Sequence, residues 1–319
     1  MLKGVPKISR QIYNQDVFRV LESEYSTIGP IWVAHQVEWM NGSYKPFKDH
    51  DKYLILISMV KSTLDFYSRH FIKLNYTDYY SKNTLEIEKI NVAEVSKKTN
   101  IPKESTRRKF IELENSGVIK KIKNKVIIDR SAFTFVKPTN TIVRISRILS
   151  LISKILVDEK VLLKRIDSKE LQNIIEDNFS YVWKIWFELQ IPMMLSYKKV
   201  FGNLETFHVF GTCVVNQHLI SQKKKNIENI SRDKFLKSLY SDNDIQGLNA
   251  MSISDITGIP RATVVRKLKG LVNKNFLLID EKKHYKLTGN IVSKLTPIQN
   301  TVLKRLADFS TRIFNLTIL

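Results

Sequence analysis

Arg261 and Arg266 stand five residues apart in a stretch that opens on Pro260, and Arg107 and Arg108 lie in a similar stretch that opens on Pro102. Only 14 of the 319 residues are arginine, so an even spread would put about one in these two short stretches, which hold four. A guanidinium donates two hydrogen bonds in a fork that matches guanine O6 and N7, and a carboxylate such as Glu104 accepts from cytosine N4. Each good two-point contact is worth about 1–3 kcal/mol of discrimination between bases. Ser105, Thr106 and Thr263 lie near the starts of the same stretches, where hydroxyls and free backbone N–H groups bind phosphate. Lys267 adds charge beside Arg266. Further on, Lys123 and Lys125 (with Lys120 and Lys121) crowd one tight turn, and Lys282 and Lys283 (with His284) another. Both turns suit phosphate or minor-groove contact, with plain solvated tips as the alternative.

The elements that must position these groups are legible in the spacing. Residues 248–268 predict a short helix, a turn at Gly258 and a second helix opened by Pro260. Ile253, Ile256 and Ile259 fall where two helices crossing at a steep angle touch. That is the pattern of a helix-turn-helix, whose second helix enters the DNA major groove. Residues 276–279 and 285–287 then read as two strands around a turn. Between residues 90 and 119 the same order recurs. Asn91 caps a helix carrying Val92 and Val95, Thr99-Asn100 makes the turn, and Pro102 opens a helix that stops at Gly117. Residues 118–128 read as two strands around the lysine-rich turn. A constant offset of 158 aligns the copies without a gap. It pairs Asn91/Asn249, Ser96/Ser254, Thr99/Thr257, Ile101/Ile259, Pro102/Pro260, Arg108/Arg266, Lys109/Lys267, Leu113/Leu271 and Asn115/Asn273. Upstream the offset drifts. Trp32/Trp186 and Phe47/Phe201 need 154, and Ser43-Tyr44-Lys45 meets Ser196-Tyr197-Lys198 only at 153.

On these residues, 248–271 resembles the helix-turn-helix of cyclic-AMP-receptor-type regulators, and each whole unit is similar to winged helices of the MarR-like type. The resemblance covers about residues 84–130 and 245–289. In the receptor-type motif, the residue after the turn and another five positions later are base-reading arginines. The resemblance implies that role for Arg261 and Arg266, and for Lys103 and Arg108 in the first copy. The glutamate between them is matched by Glu104 and replaced by Ala262. The copies are therefore expected to read unlike half-sites.

Elsewhere apolar spacing predicts helices at 15–26, 31–40 (opened by Pro30 and closed by Asn41-Gly42) and 52–71, with a loop or short turn at 75–83. A long helix over 142–157 follows as connector, then helices at 169–186, 205–221 and 231–240. Pro192 is expected to interrupt or bend the chain, and Pro297 to open a last helix to about 314. Lys223, Lys224 and Lys225 read as a solvated link. The aromatic cluster of Trp183, Trp186 and Phe187 reads as core packing, with a ligand pocket as the alternative.

A formal charge of +21 and a pI near 9.8 suggest a polyanionic partner. The one cysteine, Cys213, excludes an internal disulfide framework and suits a buried thiol in a reducing cytoplasm. The N-terminus lacks the apolar core of a signal peptide, and no stretch approaches the roughly 20 apolar residues of a membrane span. No metal is expected, because the six histidines show no ligand spacing. The acidic run from Asp242 to Gly247 lacks the closing glutamate of a calcium loop, with Ile253 in its place. No phosphate-binding glycine loop or nucleophile elbow occurs, so neither an enzyme nor a cofactor is expected.

The expected fold is mainly α with small β wings, two tandem winged-helix domains joined by a long helix. Residues 1–138 and 139–319 form the two halves. The expected function is sequence-specific double-stranded DNA binding by a transcriptional regulator, either a monomer with internal pseudo-symmetry or a homodimer. RNA polymerase or replication proteins are further candidate partners. A replication initiator and a protein–protein scaffold stay open as alternatives.

Overall fold

The computed structural model describes residues 10–87, 91–122, 125–133, 137–224, 230–240 and 246–317. In the first half, helices α1 (Asn14–Ser23), α2 (Tyr25–Phe47), α3 (His50–Arg69) and the single turn α4 (Tyr76–Tyr79) come first. Strand β1 (Thr84–Ile87), α5 (Val92–Thr99), α6 (Lys103–Asn115), β2 (Ile119–Ile122), β3 (Lys125–Asp129) and α7 (Thr139–Asp158) complete it, so α7, expected as a connector at the start of the second half, closes the first half as the counterpart of the last helix of the second. The second half repeats the order with α8 (Ser168–Asp177), α9 (Phe179–Phe201), α10 (Leu204–Lys224) and α11 (Arg232–Tyr240). It continues with α12 (Ala250–Thr257), α13 (Arg261–Asn273), β4 (Leu277–Ile279), β5 (Tyr285–Leu287) and α14 (Val292–Leu316). The described chain is thus mainly helical with two small antiparallel sheets, ordered β1-β3-β2 and β4-β5.

The repeat extends upstream and downstream of the helix-turn-helix in each half. A shift of 154 carries both ends of α1 and α2 onto those of α8 and α9, and the start of α3 onto the start of α10. A shift of 158 carries α5 and α6 onto α12 and α13, and the end of α7 onto the end of α14. The upstream offset therefore does not drift: Ser43 corresponds to Tyr197, and the likeness at 153 is a coincidence of composition inside two long helices.

Pro30 and Pro297, expected to open helices, lie within them, and Pro192 does not interrupt its helix. Pro30 and Pro46 lie inside α2, Pro192 inside α9 and Pro297 inside α14. Each proline forfeits one backbone hydrogen bond. The helices persist because their faces are buried, as at Ile28, Trp32 and Met40 of α2 and Met193 and Met194 of α9. Nor does Asn41-Gly42 end α2. It runs to Phe47, where Lys48 turns left-handed (φ 51°) and Asp49 caps α3 by accepting from the amides of Asp51 (2.8 Å) and Lys52 (3.3 Å). The helix expected over 169–186 is two helices, broken at Asn178 as α1 and α2 are broken at Glu24. Helix α10 continues through Lys224, so Lys223 and Lys224 are helical; Lys225 lies outside the described residues, as do residues 242–245 of the acidic run.

Contacts between the halves come in exchanged pairs. Helix α1 packs along α14 while α8 packs along α7, and α2 packs on α10 while α9 packs on α3. Trp32 and Trp186, equivalent at 154, meet edge to face with ring centroids 6.2 Å apart. Contact between a residue and its own copy is what an isologous two-fold interface produces. Here it is formed within one chain, and one hydrophobic core runs through both halves. Near this junction Ser43 Oγ lies 3.2 Å from His50 Nδ1, His50 Nε2 lies 3.1 Å from His208 Nδ1, and His208 Nε2 lies 2.8 Å from Asn41 Oδ1. Ser43 Oγ also donates to the Met40 carbonyl at 2.9 Å, which leaves the two histidines joined to each other at the centre of the chain. Burial holds both below their ordinary range, His208 at about 3.

Candidate nucleic-acid interface

The second helix-turn-helix is built from residues that also serve the first. Asn249 Oδ1 accepts from the Ser252 amide at 2.9 Å to cap α12, as Asn91 Oδ1 accepts from Glu94 at 2.8 Å to cap α5. Ser254 Oγ donates across the turn to the Ile259 carbonyl (2.8 Å), and Ser96 Oγ to that of Ile101 (2.6 Å). Thr257 and Thr99 each donate to the carbonyl four residues back at 2.7 Å. Gly258 (φ 68°) and Asn100 (φ 50°) take the left-handed turn. Ile253 and Ile259 are buried, but Ile256 is 47% exposed. The inter-helix face of α12 is completed by Thr257 instead, four residues from Ile253, so Ile256 falls on the outer side.

On α13, Val264, Leu268 and Leu271 are buried, which turns Arg261, Arg266 and Lys269 to solvent. Neither Arg261 nor Arg266 has an ion-pair partner among the described residues. Lys269 was not singled out in the sequence, although it stands eight residues after Arg261 and three after Arg266, on the same face. Thr263 is half-buried. Lys267, expected at the interface, turns inward: its Nζ donates to Asn203 Oδ1 at 2.8 Å. Asn203 caps α10 through the Thr206 amide (2.9 Å), and burial lowers the Lys267 pKa. The first half repeats this tie with Lys109, whose ammonium pairs with Asp49, the cap of α3. In each half, then, the seventh residue of the second helix straps that helix to the third helix below it.

On α6, Lys103, Glu104, Arg107 and Arg108 are exposed and Ser105 is half-buried. Thr106 is not at the surface. It is fully buried at the position of Val264, with Oγ1 donating to the carbonyls of Ile101 (3.2 Å) and Pro102 (3.1 Å), so it cannot reach phosphate. The arginines here are partnered, Arg107 with Glu104 at 3.5 Å and Arg108 with Glu112 at 3.7 Å. The two helices thus differ in charge. Helix α13 has Arg261, Arg266, Lys267 and Lys269 and no acid, whereas α6 has Lys103, Arg107, Arg108 and Lys109 against Glu104, Glu112 and Glu114.

The hairpins differ likewise. Lys125 pairs with Glu86 (2.7 Å), Lys120 with Asp129 (2.9 Å) and Lys121 with Glu114 (3.0 Å); Lys123 lies outside the described residues. Strand β1, which the sequence did not signal, supplies Glu86 and pairs with β3. In the second hairpin Asp280 holds the turn, its Oδ1 accepting from the His284 amide at 2.8 Å. Lys282 and Lys283 stand exposed at the tip with no ion-pair partner among the described residues.

Cys213 is buried, and burial pushes its thiol up to about 12. No described helix is long and apolar enough to cross a membrane. No protein-family model, curated protein or solved structure matches the chain.

Proposed function

We propose that the chain is a sequence-specific double-stranded DNA-binding protein, a regulator built as an internal dimer of two unequal winged-helix units. The observation that carries this reading is the fate of the residues shared by the two copies. Asn91/Asn249, Ser96/Ser254, Thr99/Thr257 and Lys109/Lys267 hold each unit together, and Ile101/Ile259 and Leu113/Leu271 are core. Pro102/Pro260 open the second helices and Asn115/Asn273 end them. Arg108/Arg266 serve neither purpose. They are the shared pair whose charged ends face solvent from mid-helix, where a base-reading side chain belongs.

The unpaired cations of α13 make the second unit the stronger contact. In the first unit, Lys103 and Arg108 work beside Glu104, which accepts from cytosine and penalises other bases. Lys282 and Lys283 bind phosphate beside the second unit, and Lys125 does so beside the first. The exchanged packing lets one chain present two recognition helices, as dimeric regulators do with two chains.

Fluorescence anisotropy on labelled duplex DNA across a salt series tests this. The expected slope of log K against log salt is about −4 or steeper, from several phosphates neutralised. Replacing Arg261 and Arg266 by Ala is expected to weaken a selected site at least tenfold more than random DNA, since each lost base contact costs about 1–3 kcal/mol. A slope near zero, or equal losses on both DNAs, would overturn the reading.

A further inference from the structure

The duplication also copies a cavity, and the copies have diverged. A cavity of about 370 Å³ lies between α2, α3, α7, α9 and the first sheet. Its lining includes Tyr53, Leu56, Val60, Lys137, Thr141 and Arg144. The equivalents of these residues, Phe207, Phe210, Val214, Leu295, Gln299 and Val302, line a second cavity of only about 80 Å³. Phe187 of α9 walls the first and its equivalent Val33 of α2 walls the second, so the two cavities are related by the same pseudo-two-fold as the helices.

In the second copy, Leu295 and Val302 replace the cations Lys137 and Arg144. In the first, the cations stand among aromatic walls that include Trp39, Phe47, Phe133 and Trp183. Arg130 also lines it and is 7% exposed. Its guanidinium stacks on Tyr79 (4.4 Å) and Tyr80 (4.7 Å), and Nη1 donates to the carbonyls of Tyr79 (2.6 Å) and Lys82 (3.2 Å). Among the described residues Nη2 has no partner, and no carboxylate pairs with this buried cation. Arg144 is half-buried; its Nε lacks a partner among the described residues, while its Nη1 pairs at 3.9 Å with Glu38, an exposed carboxylate that also lines the cavity. A buried cation left without an anion, as Arg130 is among the described residues, is costly, and a bound anion offsets that cost. A cavity of several hundred Å³ with apolar walls and a few converging polar groups is the form of a small-molecule site.

We infer that the first-half cavity binds a small aromatic carboxylate, its ring between Trp39 and Trp183 and its anion toward Arg144 and Arg130, and that the second-half cavity has lost this capacity. Isothermal titration calorimetry of the full chain with naphthalene-2-carboxylate and with its neutral analogue 2-naphthamide tests the site. No DNA is present, so the result is separate from the proposed DNA binding. One carboxylate is expected per chain, at least tenfold tighter than the amide. Arg144→Met is expected to abolish that preference while amide binding persists, and Val302→Leu in the other cavity to change neither. Absence of saturable binding, equal affinity for the two compounds, a preference that survives Arg144→Met, or its loss in Val302→Leu would overturn the inference.

Discussion

Lys267 and Arg266 are neighbours of like charge with opposite duties. The Lys267 ammonium caps an internal joint through Asn203, while the Arg266 guanidinium faces solvent. Lys267→Met is therefore expected to lower unfolding stability by about 2 kcal/mol, the usual scale for a hydrogen bond from a charged donor. DNA affinity per folded molecule is expected to stay within twofold. Arg266→Ala is expected to do the reverse, with a stability change within about 0.5 kcal/mol and a large loss of affinity. Chemical denaturation paired with anisotropy separates the two; a DNA loss in Lys267→Met as large as that in Arg266→Ala would contradict the assignment. Arg305 and Arg312 show that exposed charge alone does not mark a site, since both bond Glu188 on the body of the protein.

The element that was most legible in the sequence is the helix-turn-helix, because its signals are local. An asparagine cap, a left-handed turn residue, a proline opening and buried positions three and four apart all lie within about one dozen residues of each other. Gly258 carries the sharpest test. At φ 68° a β-carbon is strained, and asparagine tolerates the region better, as Asn100 does in the first copy. Gly258→Ala is expected to cost about 1–2 kcal/mol of stability, and Gly258→Asn clearly less. Equal costs on thermal unfolding would mean that the turn differs between the copies. What the sequence hid depends on distant partners. The inward turn of Lys267 is set by Asn203, more than sixty residues away, and the burial of Thr106 shows only when it is aligned with Val264. The helices that run through Pro30 and Pro192 are held by packing, not propensity. The three-stranded first sheet depends on β1, a strand of only four residues with no turn signal to announce it.

At the scale of the molecule, the junction between the halves is rich in buried histidine. His35, His208 and His218 are pushed to about 3, 3 and 4, and His50 well below its ordinary value, chiefly by burial, with Arg144 adding to the effect at His35. A depressed histidine binds no proton when folded but takes one on unfolding below about pH 6.5. The stability is therefore fully present above that pH and falls as pH drops toward the folded values, by about 1.4 kcal/mol per pH unit for each histidine. His35 has no hydrogen-bond partner among the described residues and lies against Trp32 and Trp186. His35→Phe is thus expected to flatten the decline, gaining about 2 kcal/mol at pH 5 relative to its effect at pH 7.5. An unchanged slope in urea denaturation across that range would show that His35 titrates normally.

On the proposed reading the same junction would set how two unequal readers are presented to DNA, and hydroxyl-radical footprinting tests that arrangement most directly. The DNA would be the site enriched from a random pool, with the wild type, Arg108→Ala and Arg266→Ala compared. Two protected segments about one helical turn, roughly 34 Å, apart are expected, unlike in sequence. Arg266→Ala should lose one of them and Arg108→Ala the other, with the larger loss of affinity in Arg266→Ala. No enriched site, a single protected segment, or loss of the same segment in both variants would contradict two unequal readers in one chain.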